Sequence, residues 1–164
     1  MATFSGIQTT TIEDFYRTHQ RAVYGYLVAL SRDRTWAEDL LQDTFIKASR
    51  SLAGYRGGDP RSWLFTVARS VFIDAVRRRS AVPVDRIPDE GHTDPDVAER
   101  LLIDEALWGL PERQRAALLL VDDVGLSYRE AAAALDTTLG ALKVLVHRAR
   151  AAFRLRYSEL NPHD

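Results

Sequence analysis

Between Leu142 and Arg150 the chain reads LKVLVHRAR, four cationic or titratable side chains (Lys143, His147, Arg148, Arg150) among five apolar ones. Laid on a helix, Leu142, Val146 and Ala149 share one face, while Val144, His147 and Arg148 point the other way. Lys143, His147 and Arg148 suit an anion, yet Val144 sits among them with nothing obvious to pack on. A second cationic set, Arg77-Arg78-Arg79, closes another apolar-periodic segment. Three adjacent guanidinium groups can track phosphates, or simply complement a helix C-terminus in solvent. Both sets bind charge; neither makes or breaks bonds. Cysteine is absent, which removes disulfides, thiolate metal sites and thiol nucleophiles together. The histidines, His19, His92, His147 and His163, lie far apart without ligand-like spacing. No nucleophile, metal cluster or phosphate loop stands out, so neither an enzyme nor a cofactor is expected.

The formal net charge of -1 conceals a sorted layout. Five Lys or Arg and no acid lie between Lys143 and Arg156, and eight acids face two arginines from Asp85 to Glu105. From Arg61 to Arg79, five arginines face the single acid Asp74. Local basic stretches are what a nucleic acid responds to. The N-terminus lacks a basic region followed by an apolar stretch, and AALLLV (116–121) is too short to span a bilayer. A cytoplasmic protein with no membrane contact of its own is expected.

Helices must position these charges. Ile12, Phe15, Val23, Tyr26, Leu27 and Leu30 recur at three- and four-residue steps. Thr35 and Glu38 read as a capping box before a stripe of Trp36, Leu40, Leu41, Phe45 and Ala48. Asp59-Pro60 reads as an N-cap and first helical position, opening a helix that carries Trp63, Val67, Val71 and Ala75 to a core. No segment sustains alternation, so the fold class is all-α. From Ser80 to Pro95 periodicity stops, and three prolines (Pro83, Pro88, Pro95) stand among acids. The expected organisation is two small helical domains, 1–80 and 100–164, joined by a flexible acidic linker, 81–99. Units this small are marginal alone, so docking on a larger partner would suit them.

In the second unit, Pro111 starts a helix expected to run through Leu120, and Gly125 breaks it. Ser127-Tyr-Arg-Glu130 is a capping box for the short helix YREAAAAL, and the turn DTT precedes the basic helix. Ala132 is small where two helices must touch, and Asp136 tolerates the left-handed backbone a tight turn needs. This is the helix-turn-helix plan. The same pattern also fits a plain helical hairpin with a solvated basic face.

LPERQRAALLLVDDVGLSYREAAAALDTTLGALKVLVHRAR resembles region four of the extracytoplasmic-function (ECF) sigma factors of bacterial RNA polymerase. AEDLLQDTFIKASRSL and RSWLFTVARSVFIDAVRRR are similar to their region two, in the same order and spacing, over roughly residues 10–80 and 100–156. The resemblance implies a sigma factor that binds core RNA polymerase and promoter DNA and directs transcription initiation. It implies that Asp39, Gln42, Asp43 and Phe45 dock on the polymerase's largest subunit. The loop from Ala53 to Arg61, with Tyr55, Arg56 and Arg61, matches the one that captures a flipped minus-ten base. Trp63, Arg69, Ser70 and Arg77-Arg78-Arg79 match the helix lining the opened strand, where arginines follow phosphates and aromatic groups hold unstacked bases. Trp63 fits an ordinary core position equally well. Lys143, Val144, His147 and Arg148 would face the minus-thirty-five element, with Arg150 nearer the buried side and able to snorkel to a phosphate. The linker takes the place of a segment threaded near the polymerase active centre, as a nucleic-acid mimic or simply as a soluble tether. The resemblance also implies an anti-sigma factor that would hold the domains compact and hide both DNA surfaces.

The chain departs from the family in GALKVLVHRAR. Ala141, Val144 and Leu145 replace Thr, Ser and Arg of the usual family pattern, and Ser70 stands where Asn is common. Val144 suits a thymine methyl or a protein partner. Two other readings use the same residues: a dimeric helix-turn-helix repressor acting without polymerase, and a sigma-like adaptor that no longer reads DNA.

Overall fold

The computed structural model describes residues 11–79 and 95–163. The acidic stretch from Ser80 to Asp94 lies outside them. Helix α1 (Ile12–Ser31) begins in a reciprocal box: Thr11 Oγ1 accepts from the Asp14 N–H at 3.3 Å, and the Asp14 carboxylate accepts from the Thr11 N–H at 3.1 Å. These bonds hold the Asp14 carboxyl below its ordinary pKa. Phe15, Val23, Tyr26, Leu27 and Leu30 form its buried stripe, as the spacing requires. Arg32 ends α1 in the left-handed region, φ 53°.

Helix α2 (Arg34–Ser51) starts two residues before the expected box would place it. Asp33 is the N-cap, its carboxylate accepting from the Trp36 N–H at 2.9 Å, and Thr35 and Glu38 are exposed. The left-handed Arg32 turns the chain so abruptly that Asp33 is already placed to cap; Thr35 falls within the first turn. A short 3₁₀ turn, Leu52–Gly54, leads to a loop with Gly57 and Gly58 at φ 85° and 93°, a conformation that glycine reaches without strain.

Helix α3 (Pro60–Arg79) opens with the Asp59 carboxylate accepting from the Arg61 N–H at 3.0 Å. A single stripe does not describe it: Leu64, Phe65, Val67, Ala68, Arg69, Val71 and Phe72 are all buried. It packs against α1 and α2, and against the later helix α6 as well. Trp63 and Ala75, expected in that stripe, are only half-buried.

Helix α4 (Pro95–Trp108) begins inside the segment expected as linker, so residues 95–99 are helical. Helix α5 (Glu112–Leu118) is shorter than its apolar run implies, because Leu119–Asp123 widens into a π-helical turn. There the Val124 N–H reaches the Leu119 carbonyl at 2.8 Å. Gly125 (φ 80°) then breaks the chain. Helix α6 (Tyr128–Ala134) carries the expected Ser127–Glu130 box, Asp136 occupies the left-handed region at φ 51°, and Thr138 caps α7 (Leu139–Leu160). No strand occurs among the described residues.

The two halves share one core. Buried residues from Phe15 through Phe72 are continuous with Ala116, Leu120, Leu126, Ala131, Leu135, Leu142 and Val146. The buried Arg115 ties them further. Its Nη1 donates to the Trp108 carbonyl at 3.1 Å, its Nη2 to the Leu30 carbonyl of α1 at 3.5 Å, and its guanidinium lies over the Trp108 ring.

Candidate nucleic-acid and polymerase interfaces

On α2, Asp39, Gln42 and Asp43 are exposed within about one turn, a short acidic and polar ridge. Phe45 is not part of it. Its side chain is only 8% exposed, packed in the core and edge-on to Tyr16 at 5.0 Å between ring centroids. The apolar surface beside the ridge comes from Ile46, 50% exposed, and Tyr16. The stripe containing Trp36, Leu40 and Ala48 already implies this inward direction for Phe45.

Among the expected minus-ten residues, Tyr55, Trp63 and Phe15 form an aromatic cluster, with Tyr55–Trp63 centroids 5.2 Å apart and Phe15–Trp63 5.6 Å apart. The Tyr55 hydroxyl donates to the Gly58 carbonyl at 2.8 Å, closing the glycine loop, and Arg56 projects into solvent. His19 sits against Phe15, and partial burial lowers its pKa. Ser70 Oγ accepts from Lys47 Nζ at 2.6 Å, so its hydroxyl has a local partner. In the triplet, Arg77 and Arg78 are exposed, and Arg78 Nε reaches the Asp74 carbonyl at 3.4 Å. Arg79 instead stacks over Trp36, 3.8 Å from the ring centroid, a cation–π contact that directs it back along the protein.

Arg61 and Arg69 are both engaged by the second half. Arg61 Nη1 donates to the Val124 carbonyl at 3.0 Å and Nη2 to the Gly125 carbonyl at 3.4 Å. Arg69 is buried and forks onto the Glu112 carboxylate, with Nη2 donating to Oε2 at 2.7 Å. Burial disfavours its charge, but the bond to Glu112, together with the fields of Glu112 and Tyr26, outweighs that and raises its pKa. Tyr26 lies buried beside the pair, its phenol pushed up by burial. In the sequence Glu112 reads as an ordinary acid in a helix's first turn. Its partner is 43 positions away. No local pattern announces such a pair.

The α7 face is laid out as its periodicity requires. Leu142, Val146 and Ala149 are buried, and Lys143, His147 and Arg148 are exposed around Val144, itself 50% exposed. Leu145 parts company with Val144: it is half-buried against the core. Arg150 stands nearer the buried side, as expected, but its guanidinium is held within the protein instead of snorkelling outward. Its Nε and Nη2 clamp Asp122 at 2.9 and 2.6 Å, and Nη1 reaches the Tyr128 hydroxyl at 3.4 Å. The clamp fastens α7 to the π-helical turn and to the start of α6. Asp122→Asn removes its charged acceptor and should weaken duplex binding about two- to fivefold, read by fluorescence anisotropy, with helix content unchanged. The modest size follows from an exposed pair, typically worth up to ~1 kcal/mol.

Sequence-family models for sigma-70 region 2 and sigma-70 region 4 match residues 15–82 and 100–153. The ECF RNA polymerase sigma factor SigM of Bacillus subtilis is 32% identical over 90% of this chain and 96% of its own length. SigE of Mycolicibacterium smegmatis is 35% identical over 87% of this chain, which spans 60% of that longer protein. Among solved structures, the sigma factor RpoE of Bartonella quintana, in complex with the anti-sigma factor NepR, superposes with a TM-score of 0.74 at 29% identity. That match covers 93% of this chain and 97% of RpoE. Two family regions in the right order, together with SigM and RpoE matched along nearly their whole length, place the chain in the extracytoplasmic-function sigma factors of the sigma-70 family.

Proposed function

We propose that the chain joins core RNA polymerase and directs it to promoters. Residues 1–80 act as the polymerase- and minus-ten-binding domain, and 100–164 as the minus-thirty-five-binding domain. The observation that carries this is the exposed cationic face of α7, presented by a helix-turn-helix on a chain that also exposes the acidic ridge of α2. In this reading Asp39, Gln42 and Asp43 meet the polymerase. Tyr55, Arg56, Arg61, Trp63, Arg69 and the arginine triplet serve the opened strand. Lys143, Val144, His147 and Arg148 read the upstream duplex. The factor performs no chemistry itself. RpoE was solved with an anti-sigma factor, and a protein of that kind is proposed as this chain's regulator. Run-off transcription with purified core polymerase is the test. Promoter-specific transcripts support the proposal, duplex binding with no transcripts on addition of polymerase favours a repressor, and polymerase binding without opening favours an adaptor.

Val144 has a specific place in this scheme. With Leu145 turned to the core, exposed Val144 is ringed by Lys143, His147 and Arg148, a setting that suits a thymine methyl. Val144→Ala should weaken recognition at one upstream base pair by about 0.8 kcal/mol for each methylene-sized group that no longer packs on the base. Uracil in place of that thymine should weaken binding equally and make the mutation silent. Equal binding of the parent chain to thymine and uracil duplexes would rule the methyl reading out.

A further inference from the structure

The two arginines of α3 assigned to the promoter strand are held in the free chain by the helices of the other half. Arg69, 5% exposed, is met by both oxygens of Glu112. Arg61, near the start of the same helix, is met by the carbonyls of Val124 and Gly125. A guanidinium recognises carboxylate and phosphate through the same two-pronged geometry. Each arginine therefore already has oxygen acceptors where a nucleic-acid backbone would supply them. We propose that α3 is an interaction surface with two mutually exclusive partners: a single DNA strand, and the chain's own C-terminal half, in which Glu112 stands in for a phosphate. The competition is one-sided. Lys143, Val144, His147 and Arg148 stay exposed in the closed chain, so duplex reading by α7 remains possible while strand capture by α3 is blocked. The inference rests on the minus-ten reading of α3 given above.

The chain contains no cysteine, so Ser49→Cys and Ser158→Cys, both at exposed positions in opposite halves, accept a dye pair without background. Energy transfer in the full-length labelled chain should report mostly the closed form. Glu112→Arg should lower the closed-to-open ratio at least about tenfold, the scale of one charge-assisted hydrogen bond. Adding Arg69→Glu should restore closure by reversing the pair. A short mixed-sequence single-stranded oligodeoxynucleotide should open the parent chain and bind Glu112→Arg more tightly by a similar factor. Circular dichroism showing unchanged helix content guards against simple unfolding, and the closure regained by the reversed pair makes the same point. Unchanged energy transfer and oligonucleotide affinity in Glu112→Arg would overturn the proposal. So would an open Glu112→Arg that binds the strand no better. If Glu112→Arg opens but neither it nor the parent binds the strand at all, the assignment of α3 to DNA fails instead, and run-off transcription by the parent checks that separately.

Discussion

Core RNA polymerase should no longer retain the chain once Gln42 and Asp43 are both lysine. Two exposed positions one step apart on α2 would change from polar and acidic to doubly cationic, against a surface expected to complement acid. Like charges brought together in a partly desolvated interface cost several kcal/mol, enough to reduce affinity by more than roughly a hundredfold. Lysine is a good helix former and neither position is buried, so α2 itself should persist. Co-purification of the double variant with core enzyme, next to the parent, is the measurement. Equal recovery would move the docking surface elsewhere, with exposed Ile46 and Tyr16 the next residues to replace.

The second large effect belongs to the arginine triplet. Replacing Arg77, Arg78 and Arg79 with alanine should weaken promoter complexes and flatten their salt dependence. Each phosphate that goes unmet lowers the log–log slope by roughly 0.7 to 0.9. The three should not count equally. Arg79 is stacked on Trp36, so Arg79→Ala alone should remove packing on that ring and change the slope least. Arg77→Ala with Arg78→Ala should carry most of the change. A triple variant with the parent's slope would leave these arginines as solvated charge at a helix end.

Periodicity makes most of the fold legible. The α1 stripe, the Ser127–Glu130 box, the Gly125 break and the left-handed Asp136 all follow from local spacing and backbone preference. The α2 cap departs from the spacing because a left-handed Arg32, rare for a residue with a Cβ, decides where the helix starts. The end of α5 departs from it because a π-helical turn keeps the apolar run while changing its bonding. At the candidate interfaces, exposure of the α7 cations can be read from their register. Burial of Arg69 cannot, since it depends on Glu112 across the fold. Phe45 shows the converse: its spacing with Trp36 and Leu40 points inward, while the family role points outward. The register of Arg150 puts it nearer the buried side, but its partner is not legible, because Asp122 lies 28 positions away on the π-helical turn.

The shared core has a consequence for how long an unoccupied molecule survives. Separating the halves uncovers apolar side chains of α3 and α6 that now cover one another, and leaves each half as a small unit with little interior. When opening and reclosing are fast, cleavage by a protease tracks the population of the opened form. A molecule held shut, or one whose halves are each covered by polymerase, offers little to cut. One caught between those two conditions is exposed along both inner faces. Turnover is thereby tied to occupancy: the molecules removed soonest are those that have opened and found nothing to bind.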